Sequence, residues 1–304
     1  MVSSPSHSPF GRALQAAHDA AGAQQHPTHT LYVVATPIGN LADISLRALH
    51  VLGLVDAIAC EDTRHTQQLL RAYGLERPAS QLLALHQHNE AEAAQTVLQR
   101  LAQGERVACV SDAGTPAISD PGARLVQAVR AAGHRVLPLP GPSSVTTLLS
   151  AAGVHSDGFV FAGFLPSKAG ERAQAVQALA QEPRAVVLLE APHRIAALAE
   201  ALQVLGERRV TLGRELTKQF EQIETLAAQA LPAWLAAQAE RQKGEFVLVL
   251  HGALATPAGG EGERVLRCLL AELPLKTAVR LAAEITGEPR NALYGQALAL
   301  KGEA

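Results

Sequence analysis

Two carboxylates, a guanidinium and an imidazole fall together in Glu61-Asp62-Thr63-Arg64-His65-Thr66, a set able to accept a proton and orient an anionic group within one turn of chain. The same residues can do a plainer job, because Asp62 or Thr63 ahead of a segment with helical period is a natural N-cap. Three further strings combine glycine with hydrogen-bonding neighbours. They are Thr36-Pro37-Ile38-Gly39-Asn40-Leu41, Ser111-Asp112-Ala113-Gly114-Thr115-Pro116 continued by Ser119-Asp120-Pro121-Gly122, and Pro140-Gly141-Pro142-Ser143-Ser144. Glycine lets backbone amides approach a small ligand, and Asp112 can accept from ribose hydroxyls or an amine. Asn40, Asp43 and Ser143 suit helix starts. Neither G-x-G-x-x-G after a strand nor G-x-x-x-x-G-K-[ST] occurs, which argues against dinucleotide and P-loop sites. His86-Gln87-His88-Asn89-Glu90 offers two imidazoles but no third ligand at a metal spacing, so no metal is expected.

The second half repeats the arrangement with more positive charge. Gly163-Phe164-Leu165-Pro166 with Lys168, Glu190-Ala191-Pro192-His193-Arg194 and Arg214-Glu215-Leu216-Thr217-Lys218 each follow an apolar run. Lys168, Arg172, His193, Arg194, Arg214 and Lys218 could form a local basic rim, or be spent on helix starts and ion pairs.

These strings need a scaffold, and its pattern is an alternation of short β-rich runs with longer Ala/Leu segments of helical period, the mark of a sheet covered by helices. Strands are expected at 31–35, 56–61, 82–86, 106–112 and 135–140, then at 159–165, 185–190, 209–215, 221–226 and 245–251. The chemistry-bearing strings fall at strand ends, where ligands bind in open α/β sheets. The expected organisation is a disordered polar tail (1–28), an α/β unit (29–142), a second α/β unit (143–253), a Gly/Pro linker (254–262) and a small helical module (263–304). In that module Val279, Ala282 and Ile285, then Leu293, Ala297 and Leu300, recur at helical spacing about a Thr286-Gly287-Glu288-Pro289 junction, resembling a helix-turn-helix.

Composition narrows the function. The 304 residues can bury roughly three quarters of their unfolded surface without disulfides or metals. A net charge of −2 excludes a bulk basic coat, and six Phe, three Tyr and one Trp are too few for a multi-base stacking platform. Cys60, Cys109 and Cys268 are dispersed, read as small buried apolar residues, and point to a reducing, cytoplasmic setting. No apolar run reaches the ~18 residues of a membrane span.

Taken in order, the strings TPIGNLADIS, EDTRHT, HQHNE, SDAGTPAISDPG, PGPSS, GFLP, APHR, RELTKQFE and KGEFVLV resemble the ribosomal RNA small subunit methyltransferase I group of the tetrapyrrole-methylase superfamily, from about Leu31 to Lys301. The resemblance implies two α/β domains of the tetrapyrrole-methylase type with a small C-terminal helical, helix-turn-helix-like module that contacts RNA. It also implies a homodimer that uses S-adenosyl-L-methionine for 2′-O-methylation of a cytidine in the decoding region of 16S rRNA, within the 30S subunit.

Matched string by string, the cofactor would be held by Pro37, Ile38, Gly39, Asn40, Ser111, Asp112, Ala113, Gly114, Thr115, Pro116, Pro142, Ser143 and Ser144, with Phe164 and Leu165 across from them. Glu61, Asp62, Arg64 and His86 are the catalytic candidates. Lys168, His193, Arg194, Arg214, Lys276 and Arg290 are the substrate-binding ones. Leu189 stands where relatives often carry an aromatic, and the stretch from Lys168 to Arg172 is less basic than in the group. Two other readings share parts of this pattern, a small-molecule tetrapyrrole methyltransferase and a non-catalytic RNA-binding assembly factor. The string ATPIGN, where porphyrinoid methylases carry G-x-G-P-G-D, and the helical module favour the rRNA enzyme.

Overall fold

Runs such as 31–34 and 107–110 are apolar at every position because both of their faces are covered, as parallel strands between helical layers require. The computed structural model describes residues 10–86, 89–155, 158–253 and 261–302. Its first lobe runs β1 (Thr30–Val34), α2 (Leu46–Leu54), β2 (Ala57–Cys60), α3 (Thr63–Ala72), β3 (Leu82–Ala84), α4 (Glu90–Ala102), β4 (Arg106–Val110), α5 (Ala123–Ala131), β5 (Arg135–Leu139) and α6 (Ser144–Ala151), preceded by α1 (Gly11–Ala21). The five strands form a parallel sheet in the order β3-β2-β4-β1-β5. Alternate residues go to opposite layers: Tyr32, Ile58 and Val110 pack on α2, while Leu31, Ala59 and Val107 pack with α4 and α5. All five carboxyl ends therefore emerge on one edge, and the candidate strings emerge with them.

The second lobe comprises β6 (Phe159–Gly163), α7 (Ala169–Leu179), β7 (Ala185–Glu190), α8 (Ile195–Leu202), β8 (Arg209–Arg214), β9 (Gln222–Ala227), α9 (Leu231–Ala236) and β10 (Phe246–Leu250). Its sheet has the order β6-β7-β10-β8-β9, with β6 and β7 parallel and the other pairings antiparallel. One face carries α7, α8 and α9. The other meets α6 and the first lobe's Ile38, so that Ile38, Val145, Leu148, Val187, Leu216 and Val247 form one apolar layer joining the lobes. Helices α10 (Glu261–Glu272), α11 (Leu275–Thr286) and α12 (Arg290–Gly302) close the chain around Leu266, Ala278, Val279, Ala282, Leu293 and Ala297.

Three expectations are corrected. Residues 10–28 are not a disordered tail. Ala17 and Ala21 of α1 are buried, Ala17 packs against Leu49 and Tyr73, and the Phe10 ring stands edge-on to Tyr73 at 5.1 Å. A helix without enough apolar surface to order itself is ordered by a slot that α2 and α3 supply. Ile285 is 63% exposed rather than part of the module's core, and Cys268 is exposed too. Cys60 and Cys109 are buried, and burial pushes their thiols up to about 11 and about 12. Residues 1–9, 254–260, Gln87 and His88, which carry parts of the tail, linker and paired-His expectations, lie outside the described residues. Among the described residues no helix is long and apolar enough to cross a membrane, and no three metal-ligating side chains are grouped to hold an ion.

Candidate functional site

The strand-end turns of both lobes enclose a cleft with two compartments. The first, of about 380 Å³, lies between the 112–115 and 143–145 turns of one lobe and Phe164, Leu189–Pro192, Leu216 and Phe246 of the other. The second, of about 450 Å³, lies between Pro37–Leu41 and one face of α3, with Lys218 at its inner end. Ile38, Asp112, Ala113 and Glu245 line both and form the wall between them.

Local chemistry explains each turn. Thr36 and Gly114 exchange backbone hydrogen bonds at 2.9 and 3.0 Å, tying the turn after β1 to the turn after β4. Gly114 sits at φ +82°, where a side chain is strained, and its missing Cβ would lie 3.3 Å from Ile38 Cγ2. The Ser111 hydroxyl donates to Gly114 O at 3.0 Å and the Thr115 hydroxyl donates to Pro142 O at 2.9 Å, so these two side chains shape the turns. The Asn40 side chain accepts from Ala42 N and starts a short 3-10 turn, Leu41–Asp43.

Of the expected cofactor residues, Ile38, Asp112, Ala113, Gly114, Thr115, Ser143, Ser144 and Phe164 meet in the first compartment, and Pro37 and Gly39 line the second. Asn40, Ser111, Pro116, Pro142 and Leu165 line neither; Leu165 is buried in the second lobe's core.

The acidic turn divides its labour. The Asp62 carboxylate caps α3, accepting from Arg64 N at 2.8 Å and His65 N at 3.4 Å, and pairs with the Arg64 guanidinium at 3.3 Å. Hydrogen bonds from the Arg64 side chain and backbone, with its charge, hold Asp62 below the usual carboxylate range. Glu61 goes the other way. Burial, then Asp120 and Asp112, push its carboxyl up. Asp120, lining the first compartment, is raised by burial and by Asp112. The Asp62 amide donates to Asp112 Oδ1 at 3.2 Å, linking the acidic turn to the dividing wall. His86 follows β3, which Leu85 N ties to Cys60 O of β2, and like Glu61, Asp62 and Arg64 it lines neither compartment.

The expected basic rim is largely turned inward. Arg194 pairs with the buried Glu190 at 3.0 Å and donates to Leu165 O, while Arg214, 9% exposed, donates to Lys243 O and Phe220 O. Carbonyls of adjoining loops take one terminal nitrogen of Arg194 and both of Arg214, which holds these side chains against the second lobe. Lys168 is exposed and paired with Glu171; His193, Lys276 and Arg290 are exposed.

Lys218, expected in the basic rim, lines the second compartment instead. Its stem crosses over Gly39, where an added Cβ would lie 2.4 Å from Lys218 Cγ, and its ammonium donates to Glu215 Oε1 at 2.8 Å and Glu245 Oε2 at 3.1 Å. Two non-glycine residues in this loop, Glu215 (φ 51°) and Thr217 (φ 66°), hold left-handed backbone, a strain of about 1–3 kcal/mol each that persists where surroundings enforce it. The string ArgGluLeuThrLys after a strand was the available signal. His65, Gln68, Leu69 and Ala72, spaced along one face of α3, were missed as lining residues as well.

Residues 30–232 match the family model described as Tetrapyrrole (Corrin/Porphyrin) Methylases, and residues 256–301 match the one described as RsmI C-terminal HTH domain. The chain is 50% identical over 281 residues to "Ribosomal RNA small subunit methyltransferase I" of Pseudomonas aeruginosa, covering 90% of this chain and 99% of that one. It is 50% identical over 276 residues to the protein of the same name from Escherichia coli O157:H7, covering 90% and 96%. Among solved structures, diphthine synthase superposes with a TM-score of 0.55 at 14% identity over 73% of this chain and 90% of that one. Uroporphyrin-III-C-methyltransferase from Thermus thermophilus superposes with a TM-score of 0.51 at 22% identity over 73% and 94%. At such identities the structural likeness speaks for the fold alone.

Proposed function

Because the chain belongs to the ribosomal RNA small subunit methyltransferase I family, within the tetrapyrrole methylases, we propose that it methylates the 2′-oxygen of a cytidine ribose in the decoding region of 16S rRNA. It uses S-adenosyl-L-methionine and acts in the cytoplasm on the 30S subunit as a homodimer. One observation carries the reading: two compartments share a wall, so a donor held in the first and an acceptor held in the second meet at Asp112.

The first compartment fits the cofactor. The cradle at Gly114 would be filled by a side chain, Leu189, Leu216 and Val247 offer an apolar surface to a purine, and Asp112 and Asp120 can accept from hydroxyl or ammonium donors. S-adenosylmethionine supplies a sulfonium-bound methyl that an oxygen can displace directly. The protein's task is then chiefly alignment and exclusion of water, which can lower the barrier by ~7–11 kcal/mol. Glu61, which lines neither compartment, accepts the hydroxyl proton from behind the wall, where the neighbouring Asp62 amide donates to Asp112 Oδ1. Burial beside Asp112 and Asp120 keeps its carboxylate more basic than Asp62, which is tied to the α3 N-terminus.

Lys276 and Arg290, exposed on the C-terminal helices, supply cations for RNA phosphates. The test is incorporation of labelled methyl into 30S subunits that lack the modification, with the labelled nucleotide mapped. Label at the ribose of a 16S cytidine is expected. Label on a porphyrinoid without ribosomal subunits, or bound cofactor without any label, overturns the reading. A chain ending before Glu263 should bind cofactor and lose the rRNA label.

A further inference from the structure

The second compartment is larger than a methyl-accepting oxygen needs, and its lining has a chemistry of its own. From α3, His65, Gln68, Leu69 and Ala72 face it at the i, i+3, i+4, i+7 spacing of one helical face, while the buried Thr66 and Leu70 turn to the core. Pro37 and Leu41 line it from the turn after β1, so that Leu41 and Leu69 give the compartment apolar surface from both elements. The Gln68 amide and the His65 ring make no side-chain hydrogen bond among the described residues, and both residues are exposed. Tyr73 fixes the Leu41 backbone: its hydroxyl donates to Leu41 O at 2.5 Å, and its ring meets Phe10 of the N-terminal segment.

We propose that this compartment receives an extruded pyrimidine nucleoside of the RNA, its base against Leu41 and Leu69 and its Watson–Crick edge read by Gln68. The inference rests on the rRNA methyltransferase reading and names how that site selects its target. An acceptor oxygen must arrive at the wall formed by Ile38, Asp112, Ala113 and Glu245, and the space in front of that wall is this compartment. A ribose delivered there brings its base with it, out of the stack, as enzymes that act on single nucleotides require. A Gln amide presents an NH2 donor and a carbonyl acceptor, and by turning over it matches the N3 and 4-amino group of cytosine or the N3–H and O4 of uracil, so it reads a pyrimidine edge. The His65 ring offers this compartment an aromatic face for the base, and the Gln68 amide adds an edge contact to it.

The experiment compares wild type with Gln68→Leu on 30S subunits reconstituted with 16S rRNA carrying either cytidine or an abasic ribose at the position that wild type labels. Gln68→Leu should lower kcat/KM roughly 10- to 100-fold on the cytidine substrate, the worth of a paired base edge. Cofactor affinity and Tm should stay the same, because Gln68 is an exposed helical residue outside the first compartment. On the abasic substrate the wild type should fall at least to the level of Gln68→Leu. A wild-type to variant ratio that is the same on both substrates overturns the inference and leaves the function intact. Absence of label with wild type on the cytidine substrate overturns the function itself.

Discussion

Replacing Gly39 by alanine would test whether the two lobes are held in register across the cleft by Lys218. The new methyl carbon would lie 2.4 Å from Lys218 Cγ, 2.9 Å from Cε and 3.1 Å from Cδ. Carbon atoms settle at about 3.5–4.0 Å, so the stem must retreat by roughly 1 Å. Its far end is not free to follow, because Nζ is bonded to Glu215 Oε1 and Glu245 Oε2 and the loop behind it is already strained at Glu215 and Thr217. Relief comes by giving up those ion pairs or by parting the turns at the dividing wall. The first route costs stability little, since partly exposed pairs are worth about 0.2–1 kcal/mol. The second costs activity, since a misplacement of about 1 Å can lower a rate ~10²-fold. Gly39→Ala should therefore melt within a few degrees of wild type while its methyl incorporation falls by about two orders of magnitude. The same substitution in a Lys218→Ala background should add almost nothing. A full loss on top of Lys218→Ala, or an unimpaired Gly39→Ala, would refute the argument.

Glu61→Gln should reduce turnover by ~10²–10⁴-fold and remove the acid limb of the pH–rate profile, which in wild type lies above the ordinary carboxylate range because burial, Asp120 and Asp112 raise Glu61. The same raised pKa means that the folded state disfavours the charged form. Glu61→Gln should accordingly raise Tm at neutral pH, and the gain should vanish below the ordinary glutamate pKa, where Glu61 is protonated folded or unfolded. Tyr73→Phe, which strands Leu41 O, should cost about 0.5–1.5 kcal/mol in urea unfolding. Glu90→Ala should cost about 1–3 kcal/mol and weaken cofactor binding measured by calorimetry. Its carboxylate accepts from Gly122 N at 2.9 Å and Arg124 N at 3.2 Å and so anchors the end of the loop that carries Ser119 and Asp120.

All ten expected strands are present, because strands buried on both faces leave apolar runs that turn-forming residues punctuate at their ends. The Gly114 and Ser143 turns were legible for the same reason. What stayed hidden depends on partners distant in the chain. Helix α1 is ordered by Leu49 and Tyr73, which no property of residues 11–21 announces. Arg194 and Arg214 look like surface cations at strand ends, and only the fold reveals that their terminal nitrogens reach carbonyls of Leu165, Lys243 and Phe220. Lys218 and Glu245 are 27 residues apart and join a site neither marks alone. The face of α3 was within reach, since the spacing of His65, Gln68, Leu69 and Ala72 is visible, but their helix was read for its cap.

The partition between the compartments has a thermodynamic consequence. Ile38, Asp112, Ala113 and Glu245 belong to both chambers, so any ligand that displaces them alters the environment offered to the other. Whatever factor one occupant imposes on its neighbour's affinity is returned in full. Cofactor affinity measured on the isolated protein and on its complex with subunits should differ by that same factor, and the spent donor should leave at a rate set partly by whether methylated RNA is still seated next door.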